Sequence, residues 1–437
     1  MEQLELHDIQ RLIVHSYSDL RDAAYVLLRI DNVERTKRWM EQVLPHVGRA
    51  VSDTQHTSCG RLALAFTYRG LVELGLYPSA LEQFVPEFRQ GMTAPARARA
   101  LGDLGKNHCA DWRWGGPSGE VHILCAIFGR SNIRQDERLL RAQAQGTHWV
   151  DTIFARLRDR EPFGFRDNLS QPLIAGTRRA QCAPSQAVAA GEFLLGYRNQ
   201  MGQYPASPLI DSNLDPDDLL ALGRSGSLKD FGRNGSYMVL RELEQNIDAF
   251  NQLAPETARR MIGRDKDGTP LAVRQGADPT LDFGYFYEDP AGLRCPIGAH
   301  IRRAYPRDAL ADVQRGISPL DARRLADQHR ILRRSRMLND TSRKPGLCFI
   351  CFNTNIERQF EFVQQSWLMS PKFAGLKDEV DPLLARKSEG QTKFTVDWKL
   401  ARDENVTLTD YVRTQGGAYF FAPGHKALKF LTRTLRS

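Results

Sequence analysis

The chain has 437 residues, of which 41% are hydrophobic and 26% charged, with 60 Lys+Arg against 52 Asp+Glu for a formal charge of +8. That apolar share supports sizeable cores and excludes disorder as a description of the whole, and at about 100–200 residues per domain the length suggests two or three domains. No run approaches the roughly 18–20 consecutive apolar residues that cross a bilayer, and so small a charge excess without a recognisable binding module argues against nucleic acid as a partner.

The first residues, MEQLELHDIQRLIVH, alternate acids with apolar side chains and lack the basic and long apolar regions of a secretory signal, so a cytoplasmic protein without a membrane segment is expected. Strand-then-helix units then recur. AYVLLRI (24–30) reads as an apolar strand leading into NVERTKRWMEQVLPHV, whose apolar residues return every three to four positions. RLALAFTY (61–68) runs into GLVELGL, and VHILCAIFG (121–129) into NIRQDERLLRAQAQG. Residues 161–235, and again 269–300, are dense in Gly, Pro, Asp, Asn and Ser; connections this long are usually functional or disordered, and here they are expected to form a site between modules. The second half repeats the theme: SYMVLREL (236–243) precedes EQNIDAFNQL, GLCFICFN (346–353) precedes IERQFEFVQQSWL, and AYFFAP (418–423) is a last strand. This predicts an α+β fold of two split βαβ, or ferredoxin-like, modules with antiparallel sheets, spanning 1–215 and 216–437. A doubly wound nucleotide fold would need a glycine fingerprint, and neither G-x-G-x-x-G after a strand nor G-x-x-x-x-G-K-[ST] is present.

Seven cysteines (Cys59, Cys109, Cys125, Cys182, Cys295, Cys348, Cys351) are too few and scattered for a disulfide framework. Cys348-Phe-Ile-Cys351 lies within a strand candidate and has no second pair, so it reads as buried reduced thiols. Lys426, Lys429, Arg433 and Arg436 crowd the last residues without an acid and read as a solvated basic face.

Three segments carry candidate chemistry. Gly164-Phe165-Arg166-Asp167-Asn168 places one carboxylate on a turn-prone loop, where an Asx turn is the ordinary role of an aspartate. Cys295-Pro296-Ile297-Gly298-Ala299-His300-Ile301-Arg302-Arg303 sets a histidine before an arginine pair. His329-Arg330-Ile331-Leu332-Arg333-Arg334 reads by itself as a basic amphipathic helix end. Taken together, the three can surround one iron. A neutral imidazole is a good axial ligand for haem iron, an arginine stabilises a developing anion, and a carboxylate moves a proton.

At these residues the chain resembles the dye-decolourising peroxidase family, in particular its larger-chain subgroup. The family's G-x-x-D-G loop stands as Gly164-x-x-Asp167-Asn168, with the second glycine replaced by a residue that tolerates left-handed φ. Its C-P-x-x-A-H-I-R segment matches CPIGAHIRR, and its apolar pair before a distal arginine matches RILRRSRM, with Arg333 as that arginine. After Arg334 the family often has a glycine and a Pro-Tyr-like stretch, where this chain has Ser335-Arg336-Met337-Leu338-Asn339-Asp340. Further similar text, from LALAFTYRGLVELGL through EFLLGYRNQMGQYPASP and ERQFEFVQQSW to GGAYFFAP, runs in family order from about residue 61 to 423.

The resemblance implies two ferredoxin-like modules of the dimeric α+β barrel type, with one haem b mainly in the C-terminal module. It implies His300 as the proximal iron ligand, Asp167 as the distal acid and base, and Arg333 as the distal stabiliser. Arg302 and Arg334, with Arg303 beside them, are then expected to contact the cofactor. The implied activity is reduction of hydrogen peroxide with oxidation of dyes, phenols or similar aromatic one-electron donors; the alternative is a ferredoxin-like haem carrier or deferrochelatase-like protein with weak peroxidase activity. Self-association into a homo-oligomer is compatible with either. Axial histidines bond a carboxylate or carbonyl through their second ring nitrogen, and Asn355, Glu357 and Glu361 are the candidates for that partner. Trp367, Trp398 and Tyr419 are candidates for relaying electrons to the surface. With an ordinary aspartate pKa near about 4, an acid-shifted optimum is expected.

Overall fold

Strands whose two faces are both covered read as unbroken apolar runs rather than as alternation, and that is how the first half of the chain is built. The computed structural model describes residues 2–51, 60–273, 282–384, 393–395 and 408–433. Strands β1 (Asp22–Ile30), β2 (Leu62–Phe66), β3 (Ile123–Gly129) and β4 (Thr147–Arg156) form an antiparallel sheet in the order β4-β1-β3-β2. Helix α1 (Val33–Val43) connects β1 towards β2, and α2 (Ile133–Gln143) connects β3 to β4. This is the ferredoxin-like β-α-β-β-α-β order. The start of α1 is set by Asn32, whose side chain accepts the Arg35 amide at 3.0 Å.

The second half repeats the plan with β5 (Ser236–Gln245), β6 (Leu332–Arg333), β7 (Arg336–Leu338), β8 (Gly346–Asn353) and β9 (Val412–Ala422). Here β8 pairs with β5, and β5 pairs with β9. Strands β6 and β7 lie along β8 in one register, Leu332↔Phe352 through Met337↔Leu347, so they are two pieces of a single interrupted strand. The segment 329–334, read from sequence as a helix end, therefore enters the sheet. Helix α3 (His300–Ala304) belongs to the long connection between β5 and β6. Helix α4, covering Glu357–Glu361 and Val363–Leu368, follows β8 and is wound with i→i+5 bonds such as Met369 N to Gln364 O at 3.0 Å. Helix α5 (His425–Thr432) follows β9.

The two sheets join at both edges. Met337 and Leu338 of β7 pair with Arg156 and Ala155 of β4, and Phe421 of β9 pairs with Phe66 of β2. A closed barrel results, which spares both modules an exposed edge. Alternate residues then serve two cores: Tyr25, Leu27, Leu240, Ile350 and Phe420 fill the interior, whereas Val26, Leu28, Val239, Cys351 and Phe421 lie under the outer helices. Cys348 belongs to the inner core and Cys351 to the outer one, so the two thiols of the C-x-x-C face opposite ways; both are buried and free, and burial pushes each thiol up. The stretch 335–340 serves the seam. Arg336, almost wholly buried, donates to the carbonyls of Ser16, Tyr17, Leu20 and Arg21 and binds the N-terminal segment to the barrel.

Candidate active site

A cavity of about 270 Å³ lies in the C-terminal module, between the outer face of its sheet and helices α3 and α4. Leu243 and Gln245 of β5, Leu347 and Phe349 of β8, and Phe360 and Val363 of α4 give it mainly apolar walls, and the loop containing Phe165, Asp167 and Ser170 closes it. His300 enters from the start of α3. Its Nδ1 lies 2.9 Å from Oδ2 of Asp381, a fully buried carboxylate whose other oxygen accepts the amides of Leu383 and Leu384 at 3.0 and 2.8 Å. Burial alone would raise the Asp381 carboxyl; the imidazole, the Leu384 amide and Arg303 outweigh it and hold the group below the usual carboxylate range. An ionised acceptor at this position calls for a proton on Nδ1, which leaves Nε2 with its lone pair.

Asp381 thus takes the place foreseen for Asn355, Glu357 or Glu361. Asn355 instead caps the turn that opens α4 by accepting the Arg358 amide at 2.8 Å. Glu361 accepts from Arg97 at 2.6 Å and from the Tyr419 hydroxyl at 2.7 Å, and Glu357 is exposed.

On the loop opposite, Asn168 and Ser170 have φ of 60° and 54°, so the position where glycine is replaced does adopt the left-handed conformation. Oδ1 of Asp167 lies 4.0 Å from Nη1 of Arg333. Arg333 also fastens this loop: Nη2 donates to Leu169 O at 3.1 Å, and its amide donates to Oε1 of Gln171 at 3.0 Å. His300, Asp167 and Arg333 all line the one cavity.

Two other expected contacts are elsewhere. Arg302 is buried with its guanidinium on the carbonyls of Asp289, Cys295 and Pro290, 4.5 Å above the Tyr285 ring, and is not part of the cavity wall. Arg334 donates to Leu12, Ile13 and Val14 carbonyls at the end of the barrel, and burial pushes it down to about 9. Arg303 is likewise spent on the carbonyls of Gly298, Trp367, Ser370 and Glu379. The cations on the cavity wall are Arg264, Arg307 and Arg330, besides Arg166 and Arg333. All three converge on Ser170: Arg264 and Arg307 donate to its hydroxyl at 2.9 and 3.3 Å, and Arg330 donates to its carbonyl at 3.0 Å. Burial, then the charge of Arg307, pushes Arg264 down to about 10, and burial lowers Arg307 as well. An anion on this wall would relieve both.

The aromatic candidates divide. Trp367 is buried edge-on to His329 and Phe362, with centroids 5.1 and 5.3 Å away, and Tyr419 is buried with its hydroxyl on Glu361. Trp398 lies outside the described residues. At the C-terminus, Lys37 donates to Arg433 O at 2.8 Å and Arg433 pairs with Asp217, so the basic end is partly engaged; Arg436 is outside the described residues.

A barrel of two ferredoxin-like sheets, carrying a carboxylate-backed imidazole on an apolar, arginine-lined cavity, is suited to a planar iron cofactor with acidic side groups. Comparison with known proteins narrows this class. Residues 224–387 match the family model described as Dyp-type peroxidase, C-terminal. The dye-decolorizing peroxidase msp1 of Mycetinis scorodonius is 25% identical over 423 residues, a match covering 84% of this chain and 75% of that protein. Among solved structures, the DyP-type peroxidase of Anabaena sp. superposes with a TM-score of 0.75 at 24% identity, covering 98% of this chain and 94% of its own. A dye-decolorizing peroxidase solved in complex with 2,6-dimethoxyphenol superposes at 0.77 with 22% identity, over 98% and 100% of the two chains. The C-terminal half of the chain is thus similar to the DyP-type peroxidases, a family of haem-dependent enzymes, and the whole chain shares their fold. No helix among the described residues is long and apolar enough to cross a membrane.

Proposed function

We propose that the chain holds one haem b in this cavity, where His300 Nε2 would bind its iron, and reduces hydrogen peroxide while oxidising dyes, phenols or similar aromatic donors. The observation that carries the reading is the His300–Asp381 bond of 2.9 Å on the wall of a cavity that also presents Asp167 and Arg333. The donor set fits the group. A buried carboxylate on Nδ1 raises the basicity of the ligating nitrogen, the apolar walls suit a macrocycle, and Arg264, Arg307 and Arg330 would pair with its carboxylates. When bound, the haem supplies the electrons that cleave the peroxide bond and accepts replacements from the donor.

The chain's own residues do the rest. Asp167 takes a proton from one peroxide oxygen and delivers it to the other, which departs as water. Arg333, whose guanidinium donates to Leu169 O, stabilises negative charge as the bond breaks and keeps the Asp167 loop in place. The phenol bound by the structural relative supports a small aromatic donor for this chain. The domain division at 215/216 falls in the connection between β4 and β5 and goes with this reading, the C-terminal unit carrying the cofactor. Cys109, Cys125, Cys295, Cys348 and Cys351, all buried and free, support a cytoplasmic location.

Stopped-flow mixing of the haem-loaded protein with hydrogen peroxide tests the reading. Asp167→Asn and Arg333→Leu should keep haem and slow its reaction with peroxide by about 10²–10⁴-fold, whereas His300→Ala should lose haem. Unchanged haem content in His300→Ala would remove His300 as the ligand. Haem binding without a peroxide reaction in the parent protein would favour a carrier instead.

A further inference from the structure

Glu161 lines the same cavity and takes no part in the chemistry above. Its carboxylate accepts three N–H groups: Oε2 from the Phe163 amide and from Nε2 of Gln245, both at 2.9 Å, and Oε1 from the Phe165 amide, also at 2.9 Å. Its backbone closes the same turn, since Glu161 N donates to Phe165 O and Gly164 N donates to Glu161 O, each at 2.8 Å. Phe163 stacks on Phe250 with centroids 4.0 Å apart, so the turn is packed as well as bonded. Gln245 is the last residue of β5, and the Glu161–Gln245 bond therefore ties the start of this loop to that strand. Asp167 follows Phe165 by two residues, and its amide is held on Asp159 O at 3.1 Å.

We propose that Glu161 is a positioning residue for Asp167: its carboxylate closes the 161–165 turn, fastens it to β5 through Gln245, and so sets the Asp167 carboxylate opposite Arg333. The proposal rests on the reading of Asp167 as the proton carrier. A carboxylate accepts three such donors more strongly than a neutral carboxyl, which gives up one oxygen's charge and turns it into a donor. Burial pushes the Glu161 carboxyl up and the Asp167 charge adds to this, while the three N–H donors oppose it. Other charged groups near the turn are Asp159 and Arg160, the latter donating to Gly164 O and Lys266 O, Arg166 in the loop itself, and Arg264, Lys266 and Asp267 on the facing segment; β5 presents Leu243 and Gln245 to the cavity and carries Glu244 between them in sequence. Protonation in the acid range removes acceptor capacity and frees the turn, so the acid limb of the peroxide reaction should carry Glu161 as well as Asp167.

The test is a double-mutant cycle in the haem-loaded protein, read as the stopped-flow rate with hydrogen peroxide against pH, with haem content and dye KM alongside. Glu161→Gln should slow the peroxide step about tenfold or more, because small misplacements of a reacting group are costly, and should move the acid limb while haem content and dye KM stay at parent values. In the Asp167→Asn background the same change should cost nothing further. Gln245→Leu, which cuts only the tie to β5, should give a smaller loss with the same dependence on Asp167, and covers the case in which Glu161→Gln does not fold. A Glu161→Gln protein as fast as the parent, or one slowed equally with and without Asp167, overturns the positioning role. Full speed in Asp167→Asn alone instead overturns the role given to Asp167, so the two failures are separable.

Discussion

Arg333 and Arg334 are adjacent in the chain and do unrelated work, because neighbouring residues of a strand face opposite sides. Arg333 reaches the cavity on the outer face, and Arg334 turns inward to the carbonyls of Leu12, Ile13 and Val14. The same logic removes Arg302 from the cofactor: two positions after His300 on α3, it lies on the other side of the helix. His300, Asp167 and Arg333 could be singled out as candidates because each sits in a compact segment that resembles a family motif, and the three do line one cavity. Asp381 could not, since it lies 81 residues beyond His300 and only the folded chain brings the two together. Its replacement makes the sharper test of the site. Asp381→Asn keeps the shape and the capacity to accept at Nδ1 but removes the charge, so haem affinity should fall by about 10–100-fold, the range for groups that support a metal ligand. Haem titration by absorbance measures this directly, and parent affinity in Asp381→Asn would show that the charge plays no part.

At the level of elements, long apolar strands were legible and short ones were not. GLCFICFN was read over the range that β8 occupies, because a strand covered on both faces announces itself by an unbroken apolar run. Strands β6 and β7 have only two and three residues and lie in a stretch with four arginines from Arg330 to Arg336; they are strands because β8 and β4 offer them partners, which no local pattern records. The winding of α4 is likewise invisible beforehand, although turns of this kind recur at functional sites. Strand β9 shows how tightly the elements are fitted. Its register shifts between Thr414 and Gly416, and there the Trp114 indole crosses the strand so closely that a Cβ on Gly416 would stand 2.4 Å from the ring nitrogen. Trp114 cannot retreat, being fully buried and donating to Oε2 of Glu242 at 2.9 Å. Gly416→Ala should therefore cost about 1–3 kcal/mol of stability, as overpacking of a filled core does; denaturant unfolding measures it, and parent stability would mean that the indole has room to move.

Over the whole molecule, two ferredoxin-like modules could be read from repeated strand–helix units, whereas the way they share one barrel could not. The joining pairs, β4 with β7 and β2 with β9, link positions far apart in the chain and depend on bonds that any sequence can make. The C-terminus completes the union, since α5 follows the second sheet yet docks against the first module. Gln10 donates to Pro423 O at 2.9 Å, the His425 and Lys426 amides donate to Asp8 at 2.8 and 2.7 Å, and His425 Nε2 lies 3.2 Å from Gly48 O. His425 is buried there, and burial, with the charge of Arg49 behind it, pushes its imidazole down to about 4. In the unfolded chain a histidine titrates near about 6.5, so between these values the unfolded state binds the additional proton. The stability this group permits is complete above pH 6.5 and is lost as pH falls towards 4, to a total of about 3 kcal/mol. The dock should weaken in that same interval. His425→Gln retains an N–H for Gly48 O and cannot titrate, so it should flatten the decline. Thermal unfolding of parent and variant at a series of pH values decides the point: the parent should lose more stability between pH 7 and 4 than the variant, and parallel profiles would take His425 out of the acid sensitivity of the fold.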